Sequence, residues 1–186
     1  YYESIKEFLA FDDARCCGET LNVPPLEDET VMHYRNFATE IRKEGRRKEM
    51  GFEEMNATEV VSTLLGNLNP LDKIAITGRN FVEESKNNST KAYNIVRALK
   101  ERNITVRLPP GSDAMEDFCF LKSAKKEFVG PTRSTFTQMA ALMGGSSMKN
   151  ARLYSYTPEG QSVAIPSYNW SHPELARRIH FEEYTF

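Results

Sequence analysis

The chain has 186 residues, with 24 Lys and Arg against 26 Asp and Glu, a formal net charge of −2 at pH 7 and 40% hydrophobic residues. That length suits one domain with a substantial core, and the composition is that of a globular protein rather than a disordered or fibrous one. A nearly neutral balance excludes a global field for nucleic acid, and no apolar run is long enough to span a membrane.

Residues 1 to 11 place Ile5, Phe8 and Leu9 on one face of a short amphipathic helix, and residues 12 to 28, with Gly18 and Pro24-Pro25, read as loop. Thr30 to Arg35 is a first strand. Arg42-Lys43-Glu44-Gly45-Arg46-Arg47-Lys48 forms a basic loop with no interleaved aromatic rings, so it reads as a solvated run rather than a nucleic-acid platform. A helix follows from Ala57 to Leu65, ended by Asn67-Leu68-Asn69-Pro70, and Lys73 to Thr77 is a second strand. Ser89 then caps a helix whose Ala92, Ile95, Val96 and Leu99 form a buried stripe.

Ile104 to Leu108 is a third strand, stopped by Pro109-Pro110-Gly111. Ser112 or Asp113 caps the next helix, Glu116 standing in capping-box spacing to Asp113, with Met115, Phe118, Leu121 and Lys122 following along it. Glu127 to Gly130 is a fourth strand. After the turn Pro131-Thr132-Arg133, Ser134 opens a helix that ends at Gly144-Gly145, a C-cap signal. Leu153 to Tyr156 is a fifth strand, and the stretch from 158 to 186 is left as a C-terminal tail.

Strands alternating with helices predict a parallel sheet covered on both faces, a Rossmann-like α/β domain over 30–157 preceded by a helix and loop over 1–29. Ligands of such sheets bind beyond the carboxyl ends of the strands. His33 and Arg35 end the first strand, Arg79 follows the second, and Ser134 and Thr135 follow the fourth. A helix start has N–H groups without internal partners and partial positive charge, which suits an anion; the same Ser134 also reads as an ordinary N-cap. Arg35 supplies a planar fork of donors for phosphate oxygens, or pairs with a surface carboxylate. His33 is either a ligand or a satisfied core histidine.

Val31-Met32-His33-Tyr34-Arg35 resembles the His-x-Arg motif of the fucosyltransferases with two Rossmann-like domains, which include α-1,2-, α-1,6- and protein O-fucosyltransferases. Asp117 to Ala124, then Phe128-Val129-Gly130, then Ser134-Thr135-Phe136, is similar to their last motif: an aspartate-led helix, a short strand and a Ser-Thr-Phe turn. The resemblance covers about residues 30 to 145 and implies the donor-binding, C-terminal half of a GT-B glycosyltransferase. It implies that Arg35, assisted by His33, binds the diphosphate of GDP-fucose or another GDP-sugar and stabilises the leaving GDP. Asp117 would accept hydrogen bonds from guanine, while Ser134, Thr135 and Phe136 would hold phosphate oxygens. It further implies transfer with inversion to a glycan or protein hydroxyl, without a metal or other cofactor. Asn36-Phe37-Ala38 and Gln138-Met139 depart from the family pattern, which leaves sugar and acceptor open.

Two other readings stand beside this one. A non-catalytic module that binds a GDP-sugar or a glycan would use the same crevice. A nicotinamide-dependent enzyme would need a G-x-G-x-x-G turn, which follows no strand here.

The cysteines are the neighbours Cys16 and Cys17, which rarely bridge each other, and Cys119 in an apolar helical stretch; no spacing reads as a zinc site. Asn56-Ala57-Thr58, Asn87-Asn88-Ser89, Asn88-Ser89-Thr90, Asn103-Ile104-Thr105 and Asn169-Trp170-Ser171 match the N-glycosylation acceptor pattern and point to a secretory lumen, Golgi or ER. The first residue is Tyr1, as in a fragment, so a membrane would be met only through a segment outside these residues.

Overall fold

The computed structural model describes residues 17, 23–35, 55–109, 114–144, 148–157 and 173–185. The expected helix over 1–11, the basic loop over 42–48 and the caps Ser112 and Asp113 lie outside them.

Six strands form one parallel sheet: β1 (Glu29–His33), β2 (Lys73–Thr77), β3 (Thr105–Arg107), β4 (Glu127–Pro131), β5 (Ala151–Thr157) and β6 (Ile179–Thr185). Their order across the sheet is β3-β2-β1-β4-β5-β6. That is the doubly wound Rossmann order, in which the chain runs outward from β1 in one direction and from β4 in the other.

Strand side chains alternate between two apolar layers. Met32, Ile74, Ile76 and Val129 face one layer, filled from α1 (Ala57–Glu59), its π-helical continuation (Val60–Leu64) and α3 (Lys91–Glu101). Val31, Ala75, Phe128 and Leu153 face the other, filled from α4 (Ala114–Lys122), α5 (Thr135–Met143) and α6 (Pro173–Arg178). The short α2 (Phe81–Glu84) buries Phe81 in the first layer. Both faces of the sheet are therefore covered, as near-continuous apolar strands require.

Several elements differ in detail from the sequence reading. Thr90, not Ser89, caps α3 and accepts from the N–H of Tyr93 at 3.2 Å; the Ser89 hydroxyl is spent on the side chain of Asn87 at 2.8 Å. The helix from Ala57 widens after its first turn, so the N–H of Leu65 bonds the carbonyl of Val60 and buries Val60, Val61 and Leu64 together. Along α4 the buried apolar residues are Cys119, Phe120 and Leu121, whereas Met115 is 43% exposed. Gly144 ends α5 with φ −53°, not left-handed.

The stretch read as a tail contributes α6 and β6. Ile179 and Phe181 pack into the second layer, and all seven β6 residues pair with β5. A disulfide joins Cys17 to Cys119, 102 residues apart, and ties the chain before β1 to the buried side of α4.

Candidate functional site

β1 and β4 are adjacent strands whose onward connections leave in opposite directions, so their carboxyl ends flank the switch point of the sheet. Most of the residues singled out from the sequence gather there. β1 ends at His33, and the chain stays paired one residue further, the N–H of Tyr34 donating to the carbonyl of Thr77 at 2.8 Å. Arg35 lies just beyond. On the β4 side the turn Thr132-Arg133 leads into Ser134, which has extended backbone angles and caps α5.

The two sides meet through hydroxyl groups. Arg35 donates to the Ser134 hydroxyl at 3.1 Å, and the N–H of Thr137 donates to the same oxygen at 3.3 Å. Thr137 in turn holds His33, its hydroxyl 2.7 Å from Nδ1 of the ring. Arg35, Ser134, Thr137 and His33 therefore form one continuous network across the switch point. Gly130 makes room for it: a Cβ at that position would lie 2.4 Å from the Thr137 methyl and 3.5 Å from Cβ of His33.

The electrostatics follow from burial. His33 is only 6% exposed, and desolvation, with the nearby Arg35 charge second, pushes its pKa from 6.5 to about 3. The imidazole is thus neutral around pH 7. Ser134 is fully buried and serves as the N-cap, with its hydroxyl already accepting from Arg35 and Thr137. Thr135 is exposed and Phe136 half-buried. Intrahelical bonding here begins with the N–H of Gln138 to the Ser134 carbonyl, so the N–H groups of Thr135 and Phe136 precede it, as an anion requires. Arg133, in the turn itself, is half-buried, and burial lowers its pKa from the ordinary value.

Asp117 stands on the other flank. It sits in the first turn of α4, half-buried, and accepts a hydrogen bond from the buried Thr77 hydroxyl at the end of β2. It is therefore fastened to the sheet rather than being a solvated helix charge. Arg79 lies exposed beyond β2.

Between α4 and α5 opens a cleft of about 460 Å³ lined by Ala114, Met115, Phe118, Thr135, Phe136, Met139 and Met143. Phe136 connects it to the polar network, with its ring centroid 5.3 Å from that of His33 and 5.5 Å from that of Phe118. The site thus combines a guanidinium and a helix start, suited to phosphate oxygens, with a carboxylate and an apolar aromatic wall, suited to a flat ring.

Thr77, Thr137 and Gly130 were not singled out from the sequence. Thr137 carried a weak signal, standing three residues after the predicted cap, and Gly130 another, standing inside a predicted strand. Among the described residues no group of His, Cys, Asp or Glu could hold a metal ion, and no helix is long and apolar enough to cross a membrane. Comparison with protein-family models, curated proteins and solved structures finds no match.

Proposed function

We propose that this chain is the donor-binding part of a glycosyltransferase, fucosyltransferase-like, which takes GDP-fucose or another GDP-sugar and passes the sugar to a glycan or protein hydroxyl with inversion. The observation that carries this reading is the Arg35–Ser134 contact at the switch point, with Asp117 fastened to the neighbouring strand end. Arg35 and the open N–H groups at the start of α5 bind the diphosphate. Asp117 accepts from the N1–H and exocyclic amine of guanine, and the Phe118–Phe136 wall supports the base.

In the reaction the acceptor hydroxyl gives its proton to a general base outside the residues named here and attacks the anomeric carbon from the face opposite the diphosphate, and the bond from that carbon to the phosphate oxygen breaks. Negative charge then grows on the departing GDP. Arg35, already oriented by Ser134, stabilises that charge without reorganising. Neutral His33 adds a hydrogen-bonding group beside it without contributing charge. The reaction needs no metal in this scheme. The Cys17–Cys119 disulfide supports an oxidising compartment, in keeping with a Golgi or ER enzyme acting on glycans.

The pairing of Arg35, His33 and Asp117 with hydroxyls of the chain itself also suits a module that binds the nucleotide without transferring sugar. The test begins with thermal unfolding. At about 100 times its dissociation constant GDP adds about 2.7 kcal/mol, which raises the midpoint by about 5–10 °C in a domain of this size. UDP gives no such shift, and Arg35→Ala abolishes the GDP shift. Equal protection by GDP, UDP and ADP overturns the reading. GDP binding by the full-length protein with neither sugar transfer nor donor hydrolysis gives the non-catalytic module.

A further inference from the structure

We propose that Asn103 carries an N-linked glycan, on the edge of the sheet and at the end opposite the candidate site. Asn103-Ile104-Thr105 lies between α3 and β3, at the amino ends of the strands, whereas His33, Asp117 and Ser134 gather at the carboxyl ends. Asn103 and Thr105 are both exposed. Asn103 takes the left-handed conformation, φ 60°, with its backbone fixed by bonds to Lys100 and Leu71, and its side-chain amide makes no hydrogen bond among the described residues.

The other acceptor matches within the described residues are engaged. The Asn56 side chain caps α1 through the N–H of Glu59 at 3.0 Å. The Asn87 side chain accepts from both the N–H and the hydroxyl of Ser89. The Thr90 hydroxyl, which completes the match at Asn88, donates to the carbonyls of Glu84 and Asn87 and accepts from Tyr93. Among the described residues, Asn103 is the match at which neither the amide nor the partner hydroxyl makes a hydrogen bond.

The buried Cys17–Cys119 disulfide is an independent pointer to the compartment where this modification is made. The donor is an oligosaccharide carried on a polyprenyl diphosphate. The Asn103 amide nitrogen forms a bond to the anomeric carbon, the bond from that carbon to the diphosphate oxygen breaks, and polyprenyl diphosphate leaves. The amide proton passes to the transferase that catalyses the step. A glycan here shields β3, a three-residue strand at the end of the sheet, from pairing with another chain.

The test uses protein purified from the cells that naturally make it, deglycosylated with N-glycosidase in ¹⁸O water and digested with trypsin, which cuts after Arg102 and Arg107. The expected result is the peptide Asn103 to Arg107 with Asn103 converted to ¹⁸O-labelled Asp. A Thr105→Ala variant made in the same cells loses one glycan step on a gel while keeping the Asn103 backbone, and Thr105→Ser retains it. Recovery of the peptide mainly unmodified, with Cys17 and Cys119 joined, overturns the proposal. This inference does not rest on the proposed enzyme activity and survives its failure.

Discussion

The guanidinium of Arg35 reaches across the switch point to the hydroxyl of Ser134, 99 residues away in sequence and 3.1 Å away in space. One oxygen thus serves two purposes, since it also caps α5 through Thr137. The helix start and the cation are mutually oriented, which is the preorganisation a diphosphate site needs. Removing the hydroxyl acts on both. Ser134→Ala is expected to cost about 1–2 kcal/mol of stability through the lost cap, read from urea unfolding. The same variant is expected to weaken GDP binding more than Thr90→Ala, which removes the cap of a different helix, α3. Equal loss of GDP binding in the two variants shows a merely structural Ser134.

Gly130 is predicted to be intolerant for a steric reason. With a Cβ 2.4 Å from the Thr137 methyl, Gly130→Ala forces α5 or His33 to shift, at a cost of about 1–3 kcal/mol. Thr137→Ser, which removes that methyl and keeps the hydroxyl, should restore part of the loss when combined with Gly130→Ala. Additive destabilisation by the two changes contradicts this packing account.

The His33 pKa sets a pH dependence with a definite sign. The unfolded chain binds a proton on this ring below about pH 6.5, while the folded chain refuses it until about pH 3. Stability from this group is complete above 6.5 and falls as the pH drops toward 3. At pH 4.5 the loss is about 2–3 kcal/mol. His33→Gln, compared with the unaltered chain in urea unfolding at pH 7 and pH 4.5, should show a smaller acid-induced drop by that amount. An identical drop refutes the assignment.

How far the sequence revealed this arrangement depends on the reach of each interaction. β2 and the buried stripe of α3 were legible because their apolar spacing is local. The crevice at the strand ends was legible because a parallel sheet dictates where strand ends meet. β6 escaped because Glu182 and Glu183 interrupt its pattern. Glu182 is tolerated through Arg152 on β5, which it meets at 3.2 Å and which also pairs with Glu127. No local signal shows such a cross-strand network. Thr77 and Asp117 find each other across 40 residues, and Cys17 and Cys119 across 102, for the same reason.

The disulfide should matter for the site as well as for stability. In the chain-entropy account, closing a loop of this length contributes about 4–5 kcal/mol. Cys17→Ser is expected to lower unfolding stability by roughly that amount, as is full reduction of the unaltered chain. Because Cys119 lies one helical position beyond Phe118 and two beyond Asp117, the variant should also lose GDP protection at temperatures where it is still folded. Retained protection shows that α4 keeps its place without the disulfide.

Asp117 provides the sharpest test of nucleotide choice. Its carboxylate is oriented by Thr77, and guanine offers two N–H donors on one edge where inosine diphosphate offers one. Hydrogen bonds to a charged group contribute about 1.5–3 kcal/mol, a factor of roughly 10–100 in affinity. GDP should therefore bind more tightly than inosine diphosphate by that factor, measured by calorimetry. Asp117→Asn, which keeps the shape but places an amide NH2 group against one donor, should bring the two nucleotides close together. Thr77→Val should give an intermediate result, since it takes one hydrogen bond from the carboxylate without removing the carboxylate. A preference for GDP that survives in Asp117→Asn assigns base recognition elsewhere, with the Phe118–Phe136 wall the next place to look.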